Sequence, residues 1–375
     1  MIEAWRFWGF GAAVAWAAVA GPAFADVEIG VTVSAVGPAA SLGIPEKNTI
    51  ALLPKAIGER KASYVVLGDA TDSTQAVKNA RKLTSGDRVD ALIGSTVVPH
   101  ALAMTGVAAQ TPMTSMAAAA STVEPLDAKR AWVFKTPRND ILMASAIAGH
   151  GAKRGVKMVA FIDVGDACGE IRLEEFGKVA AGRFACTDTS ETALMPKARS
   201  KRPDAALIMG AGTPAALPQK TPKARGDTGA IHQTHGVANI DFLGVCGKGC
   251  EGAYPPGGPI LVADRLPDSN PVKPSALAYR RAHENAYGAG TVSTYVGHAW
   301  DAALHLPRAI PIAQKGGRPG TPAFRSALRT ALENAKDDAG APAVFDMSAA
   351  GHAGLDERAR VMVEIADDPR KLARN

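Results

Sequence analysis

The most suggestive spacing in this 375-residue chain is His232-Gln-Thr-His235. On a helix, two imidazoles three residues apart share a face and could grip a metal ion. The preceding Gly229-Ala-Ile and the following Gly236 point instead to a strand running into a loop, where such residues face opposite ways. A single pocket-lining histidine is the better reading, because loops at strand ends carry function. No metal or cofactor is expected, and no catalytic residues either. Gly-x-Ser-x-Gly, Gly-x-x-x-x-Gly-Lys and His-Glu-x-x-His are all absent. Asp163, Asp166 and Glu170 could pair for acid–base work, but acidic groups placed after a strand more often cap the next helix. The loop Gly94-Ser-Thr-Val-Val-Pro-His100 gathers hydroxyls and backbone N–H groups at a strand end, just before a helix start. That combination suits a carboxylate or another anion.

Cys168, Cys186, Cys246 and Cys250 take their meaning from the N-terminus. Residues 1–25 open with Arg6 and an apolar run from Phe7 to Ala20, then finish Gly21-Pro-Ala-Phe-Ala25. This is the pattern of a cleavable signal peptide, cut after Ala25. The apolar run is shorter than the roughly 20 residues a membrane span needs. An exported, non-embedded protein is therefore expected, and an even number of cysteines in an oxidising compartment favours disulfides. Cys168–Cys186 and Cys246–Cys250 are the local pairings, although sequence leaves connectivity open.

Composition removes other classes. The net charge of +6 is scattered, with no basic block longer than Lys78-Asn-Ala-Arg-Lys82, so nucleic acid is not an expected partner. Of 20 aromatic residues, six lie in the first 25 positions, leaving 14 for the other 350. That is sparse for a groove that stacks bases or sugars.

These residues must be positioned by alternating elements. Strands are predicted at Val27–Ser34, Ser63–Leu67, Val89–Ile93, Pro112–Ser115, Val156–Ile162, Ala205–Met209 and Pro259–Ala263, with helix-length segments between them. Asp72 followed by Gln75 predicts a helix start with a reciprocal cap. Such alternation means βαβ units and parallel sheets covered by helices on both faces, in two domains for this length. Prolines 196, 214, 218, 222, 307 and 311 predict kinked, short or marginal helices. Ala117–Ala120 reads as a tight loop open to a ligand or as a plain turn.

In order along the chain, Ile29-Gly-Val-Thr, Gly37-Pro-Ala-Ala-Ser-Leu-Gly43, Asp69-Ala-Thr-Asp72 and Val89-Asp-Ala-Leu-Ile-Gly94 are followed by Trp132-Val-Phe-Lys-Thr-Pro137. Gly212-Thr-Pro214, Gly236-Val-Ala-Asn239 and Ala299-Trp-Asp-Ala302 continue the series. Together they resemble the periplasmic solute-binding proteins of ABC importers, type I, of the branched-chain amino acid (Leu/Ile/Val-binding) kind. The resemblance implies two similar α/β lobes joined by a three-segment hinge, with crossovers near Phe134–Pro137, Ala263–Pro267 and Ala343–Met347. The first lobe would hold residues 26–136 and 266–344, and the second 137–265 and 345–375. It also implies a monomer in the periplasm that closes over a small ligand and delivers it to an inner-membrane permease and its ATPase. The alternatives are a ligand sensor for a membrane signalling protein, or a drifted relative that binds little.

Carried over by alignment, the ligand positions are Leu42, Ser95, Thr96, Val98, Pro99, Ala118, Ala119, Ser121, Cys168, Gly212, Thr213 and His235. Val98 stands where the resemblance implies a hydroxyl, and Cys168 and Gly212 (or Thr213) where it implies tyrosines. His235 stands where an acid would pair with the ligand's ammonium. A buried ammonium without a counter-charge costs several kcal/mol. The sequence thus predicts a small carboxylate or amide rather than a standard α-amino acid, with His235 donating a hydrogen bond.

Overall fold

The structure, a computed structural model, describes residues 26–111, 114–117, 131–138, 140–163, 180–185, 203–224, 229–366 and 372–374. Its first sheet is built around β1 (Val27–Val33), whose side chains are buried on both faces, as expected of a central parallel strand. α1 (Ala40–Ala51) leads to β2 (Ala56–Ile57) and β3 (Arg60–Gly68). α2 (Ser73–Arg81), β4 (Ala91–Ile93), α3 (Val98–Gln110), β5 (Thr114–Ala117) and β6 (Val133–Lys135) follow. The strand order is β2-β3-β1-β4-β5-β6, with only the β2–β3 hairpin antiparallel. Half of the predicted α2 cap is present: Gln75 N donates to Asp72 Oδ1 at 2.6 Å. The reciprocal half is not, because the Gln75 amide turns forward to Asn79 Oδ1 at 2.9 Å. That bond steadies Asn79, whose own amide reaches back to Thr32 and Gly68 on the sheet.

The chain then builds a second sheet. α4 (Asp140–Lys153) precedes β7 (Val159–Asp163), β8 (Ala180–Ala185) and β9 (Ala205–Met209). α5 (Ala216–Ala224), β10 (Ala230–Gln233) and α6 (Ile240–Cys246) complete the run, and the parallel order is β10-β9-β7-β8. Asp163 closes β7, while Asp166, Glu170, Ala118–Ala120, Ser121, Cys168, Cys186 and Pro196 lie outside the described residues. Cys246 and Cys250 are joined by a disulfide across a Cα–Cα distance of 5.7 Å.

One expected strand is absent. Pro259–Ala263 is the start of a 3-10 segment, Pro259–Arg265, and only Pro256–Gly257 before it pairs, as β11. Prolines 255, 256 and 259 bring no N–H to a ladder, so the segment turns instead.

The return path restores material to the first core. α7 (Lys273–Tyr287), α8 (Thr294–Ala313), α9 (Pro322–Glu333), β12 (Asp338–Ala339) and β13 (Val344–Phe345) precede β14 (Val361–Ile365) and β15 (Leu372–Arg374). On α9 the buried residues are Phe324, Leu328, Ala331 and Leu332, the spacing of one helical stripe. They join Val27, Ile29, Val31, Leu306, Ile310 and Phe345 in one cluster. A second cluster holds Ile162, Ile208, Ile231, Phe242, Leu243 and, from the end of the chain, Ile365. Each large apolar side chain buried this way contributes about 1.5–3 kcal/mol. This explains a second correction: α8 runs through Pro307 and Pro311 for 20 residues rather than stopping. Its buried residues Leu306, Ala309, Ile310 and Ala313 offset the roughly 3 kcal/mol each proline costs. α5 likewise continues through Pro218 and Pro222.

The chain passes between the sheets three times, and one side chain touches all three passages. Arg138, just after β6, is 1% exposed. Its Nη1 donates to the Ala359 carbonyl at 3.1 Å, ahead of β14. Its Nη2 reaches Thr294 Oγ1 at 3.3 Å, on the first turn of α8. Thr294 Oγ1 also accepts from Gly258 N at 3.2 Å, beside β11. A Cβ on Gly258 would lie 2.8 Å from Arg138 Nη1, so the guanidinium seats against a bare backbone. Arg138→Leu is expected to lower the unfolding free energy by about 3–5 kcal/mol, because several buried groups lose a charged partner. Arg138→Lys is expected to restore less than half of that, since an ammonium lacks the planar fork. Urea denaturation checks both, and a loss below about 1 kcal/mol for the leucine variant would contradict this role.

Candidate functional site

The carboxyl ends of β1, β3 and β4 bring Ser34, Asp69 and the loop Gly94–Val97 together, where parallel sheets present their binding loops. Gly94 has a φ of 127°, and a Cβ there would strike the Thr32 carbonyl, so only glycine lets the loop cross β1 this closely. The two hydroxyls expected to meet a ligand point inward. Ser95, fully buried, donates to Asp69 Oδ2 at 2.6 Å. Thr96 donates to Glu46 Oε2 at 2.6 Å and accepts from Ser34 N at 2.9 Å. Val98 is half-buried, Pro99 is exposed, and no side chain caps the start of α3. The loop therefore offers backbone N–H groups rather than hydroxyls.

Behind that loop, two carboxyl groups sit in opposite states. Burial raises Asp69, but His100, Ser95, Ser34 and the Thr71 N–H outweigh it and hold the group below its ordinary value. Glu46 has one donor, Thr96. Burial pushes it up to about 8, Thr96 pulls it partly back, and the nearby Asp69 charge raises it again. Glu46 is therefore mostly protonated at neutral pH, and its Oε1 has no partner among the described residues.

From the second sheet, Gly212 and Thr213 follow β9, and His235 follows β10. Gly212 has a φ of 63°, and a Cβ on it would lie 3.0 Å from Ser41 Oγ and 3.7 Å from Leu42. The two lobes thus meet here, with Leu42 buried against Ala39 and Tyr295 and flanked by Val97. His232 and His235 do face different ways. His232 Nε2 shares a 2.9 Å hydrogen bond with His150 Nδ1, the rings edge-on, and its ring leans on Tyr254. His235, 5% exposed, lies in the turn after β10, close enough to His298 to disfavour its protonation.

The junction holds groups that sequence reasoning did not single out: Lys135, Arg138, Tyr295, His298 and Asp301. Thr294 N donates to the Ala238 carbonyl at 3.3 Å, fixing the first turn of α8 against the second lobe. Arg138 Nη2 lies 3.3 Å from His298 Nε2. Burial drives His298 well below 6.5, and the Arg138, His235 and Lys135 charges add to this. Burial also lowers Arg138 to about 10, still cationic at neutral pH. Asp301, fully buried, accepts from Ala341 N at 2.7 Å but is raised well above its ordinary value by burial. Two buried basic groups, Lys135 and Arg138, and the imidazoles of His298 and His235 therefore gather at the junction, and burial pushes the nearby Asp301 carboxyl up. A clue was present: Lys135 lies within Trp132–Pro137 and Asp301 within Ala299–Ala302, two segments of the resemblance. Nothing in their spacing marked them as neighbours.

Because Glu46 is raised from 4.5 to about 8, its burial is harmless below pH 4.5 and increasingly costly as pH rises to 8. Glu46→Gln is expected to match the parent protein in acid and exceed its stability above pH 8 by a few kcal/mol. Chemical denaturation across that range checks it. Parallel pH profiles for the two proteins would contradict the protonated state.

Comparison with known proteins agrees with this architecture. A family model described as "Periplasmic binding protein" matches residues 26–365. No curated protein sequence matches the chain. Among solved structures, an extracellular ligand-binding receptor from Rhodopseudomonas palustris HaA2 is 39% identical, with a TM-score of 0.87, covering 94% of this chain and 100% of that one. A leucine-binding protein from Thermotoga maritima is 19% identical, with a TM-score of 0.80 over 93% of this chain and 97% of that one. An ABC-transporter solute-binding protein from R. palustris, in complex with benzoate, is 19% identical, with a TM-score of 0.77 over 93% and 95%. At that identity the last two show the fold alone. The chain belongs to the periplasmic binding protein family, with the type I fold shared by the branched-chain amino acid binders.

Proposed function

We propose that this protein is the substrate-binding component of an ABC importer and captures a small carboxylate, or an amide of similar shape, between its two lobes. The observation that carries the reading is the charge at the junction. Lys135 and Arg138 are buried basic groups beside His298, which burial and its neighbours' charges hold neutral, and among the described residues Arg138 hydrogen-bonds only uncharged acceptors. An anion entering this region meets buried positive charge that attracts it, whereas an ammonium would be set beside like charge. Leu42, Val97 and Tyr295 form an apolar wall for the rest of the molecule. The inward Ser95 and Thr96 hydroxyls further support placing the polar end of the ligand at the junction rather than at the α3 loop. The benzoate held by the distant R. palustris solute-binding protein is a ligand of this class.

Capture works by closure: the lobes swing about Arg138 and its three passages, and the ligand favours the closed form. The chemistry ends there, so the ligand leaves unaltered, handed as a monomer's cargo to an inner-membrane permease and its ATPase. Residues 1–25 act as the export signal, and the family match beginning at residue 26 supports a cut after Ala25. Among the described residues, no helix is long and apolar enough to cross a membrane.

Calorimetry on the mature protein tests the ligand class, with benzoate, phenylacetate, acetate, leucine and short amides as probes. A carboxylate or amide is expected to bind at least about tenfold tighter than leucine, a difference of about 1.4 kcal/mol. Tight leucine binding would overturn the reading. N-terminal sequencing of exported protein is expected to begin at Asp26, and a retained residue 1–25 segment would contradict the export signal.

A further inference from the structure

Arginine can only donate hydrogen bonds. Arg138 Nη2 approaches His298 Nε2 at 3.3 Å, so that nitrogen must present its lone pair. The imidazole proton is therefore on Nδ1. His298 cannot escape by taking a second proton, since burial and the surrounding charges hold it neutral. Its carbonyl is tied down as well, accepting from Thr136 Oγ1 at 3.0 Å. The Nδ1–H group is thus a fixed, fully buried donor, and among the described residues it has no acceptor. Burying an unpaired donor costs about 1–3 kcal/mol, and more than nine in ten buried N–H groups are paired.

The surroundings say what kind of acceptor fits. Tyr295 stands edge-on to the ring at 6.2 Å and packs with Leu42 in the wall between the lobes. His235 approaches from the second lobe, Lys135 from the end of β6 and Arg138 from the passage just after it. Asp301 lies one turn further along α8, within electrostatic reach of Arg138, and among the described residues its Oδ2 has no hydrogen-bond partner. Resting on the function proposed above, we propose that His298 is the specificity-determining donor of the cleft: its Nδ1–H bonds a carboxylate or carbonyl oxygen of the bound ligand. An ammonium at that point would leave the donor unpaired and set cation beside cation. Arg138 then has two tasks, tying the passages together and locking the tautomer that reads the ligand.

The test compares the parent protein with H298N and H298L, using benzoate, phenylacetate and acetate as probes. In H298N the amide N–H takes the Nδ1–H position, while no atom reaches the Nε2 position that faces Arg138. Calorimetry is expected to show binding of at least one carboxylate by the parent, retention within about threefold by H298N, and a loss of about tenfold or more in H298L. In the parent, nitrogen-15 NMR is expected to find the proton on Nδ1 at acid and alkaline pH alike, and its resonance to move when the carboxylate is added. This NMR measurement stands even where H298L fails to fold. Equal binding by parent and H298L, an unmoved Nδ1–H resonance, or a proton on Nε2 would overturn the role of His298 and leave the carboxylate reading intact. A parent protein that binds none of the three probes would overturn both.

Discussion

A fully buried guanidinium with no carboxylate in hydrogen-bond contact among the described residues is costly, and this structure organises itself around one. Arg138 spreads its donors over the Ala359 carbonyl, Thr294 Oγ1 and His298 Nε2, groups drawn from separate parts of the chain. Three parallel-sheet passages that would otherwise be independent become one assembly, tightened by the bare backbone of Gly258. Because the hydrogen bonds are made to uncharged acceptors, they leave a buried positive charge at the place where the lobes meet, and the proposed function rests on the field of that charge.

The first lobe handles buried charge differently. Asp69 stays ionised because four donors converge on it, while Glu46 keeps its proton because one hydroxyl is too little. The two hydroxyls best placed to meet a ligand, Ser95 and Thr96, are committed to these carboxyls. A loop with the composition of an anion site thus commits its hydroxyls to the carboxyl groups beneath it. The buried basic groups lie instead at the junction, with Lys135, Arg138 and the imidazoles.

Much of the architecture was legible from the sequence. Alternating apolar runs marked β1, β3, β4, β7 and β9, and Asp72 marked the start of α2. Pro259 misled because a buried apolar run reads alike as strand or turn until its missing N–H donors are considered. Pro307 and Pro311 misled in the other direction, since local cost was visible and the buried face that outweighs it was not. His235 and Gly212 drew attention because neighbouring positions along the chain carried the pattern. Arg138 and His298 are 160 residues apart, and no local pattern records a hydrogen bond between them. The direction of the Ser95 and Thr96 side chains was equally hidden, because it depends on Glu46 and Asp69, which other elements supply.

The account rests on a negatively charged ligand end lying at the lobe junction. A crystal structure of the mature protein with a bound carboxylate tests this most directly. The account predicts a carboxylate oxygen within hydrogen-bond distance of His298 Nδ1, with the apolar part against Leu42 and Tyr295. A ligand seated the other way round, its carboxylate on the α3 loop and an amino group at the junction, would contradict it.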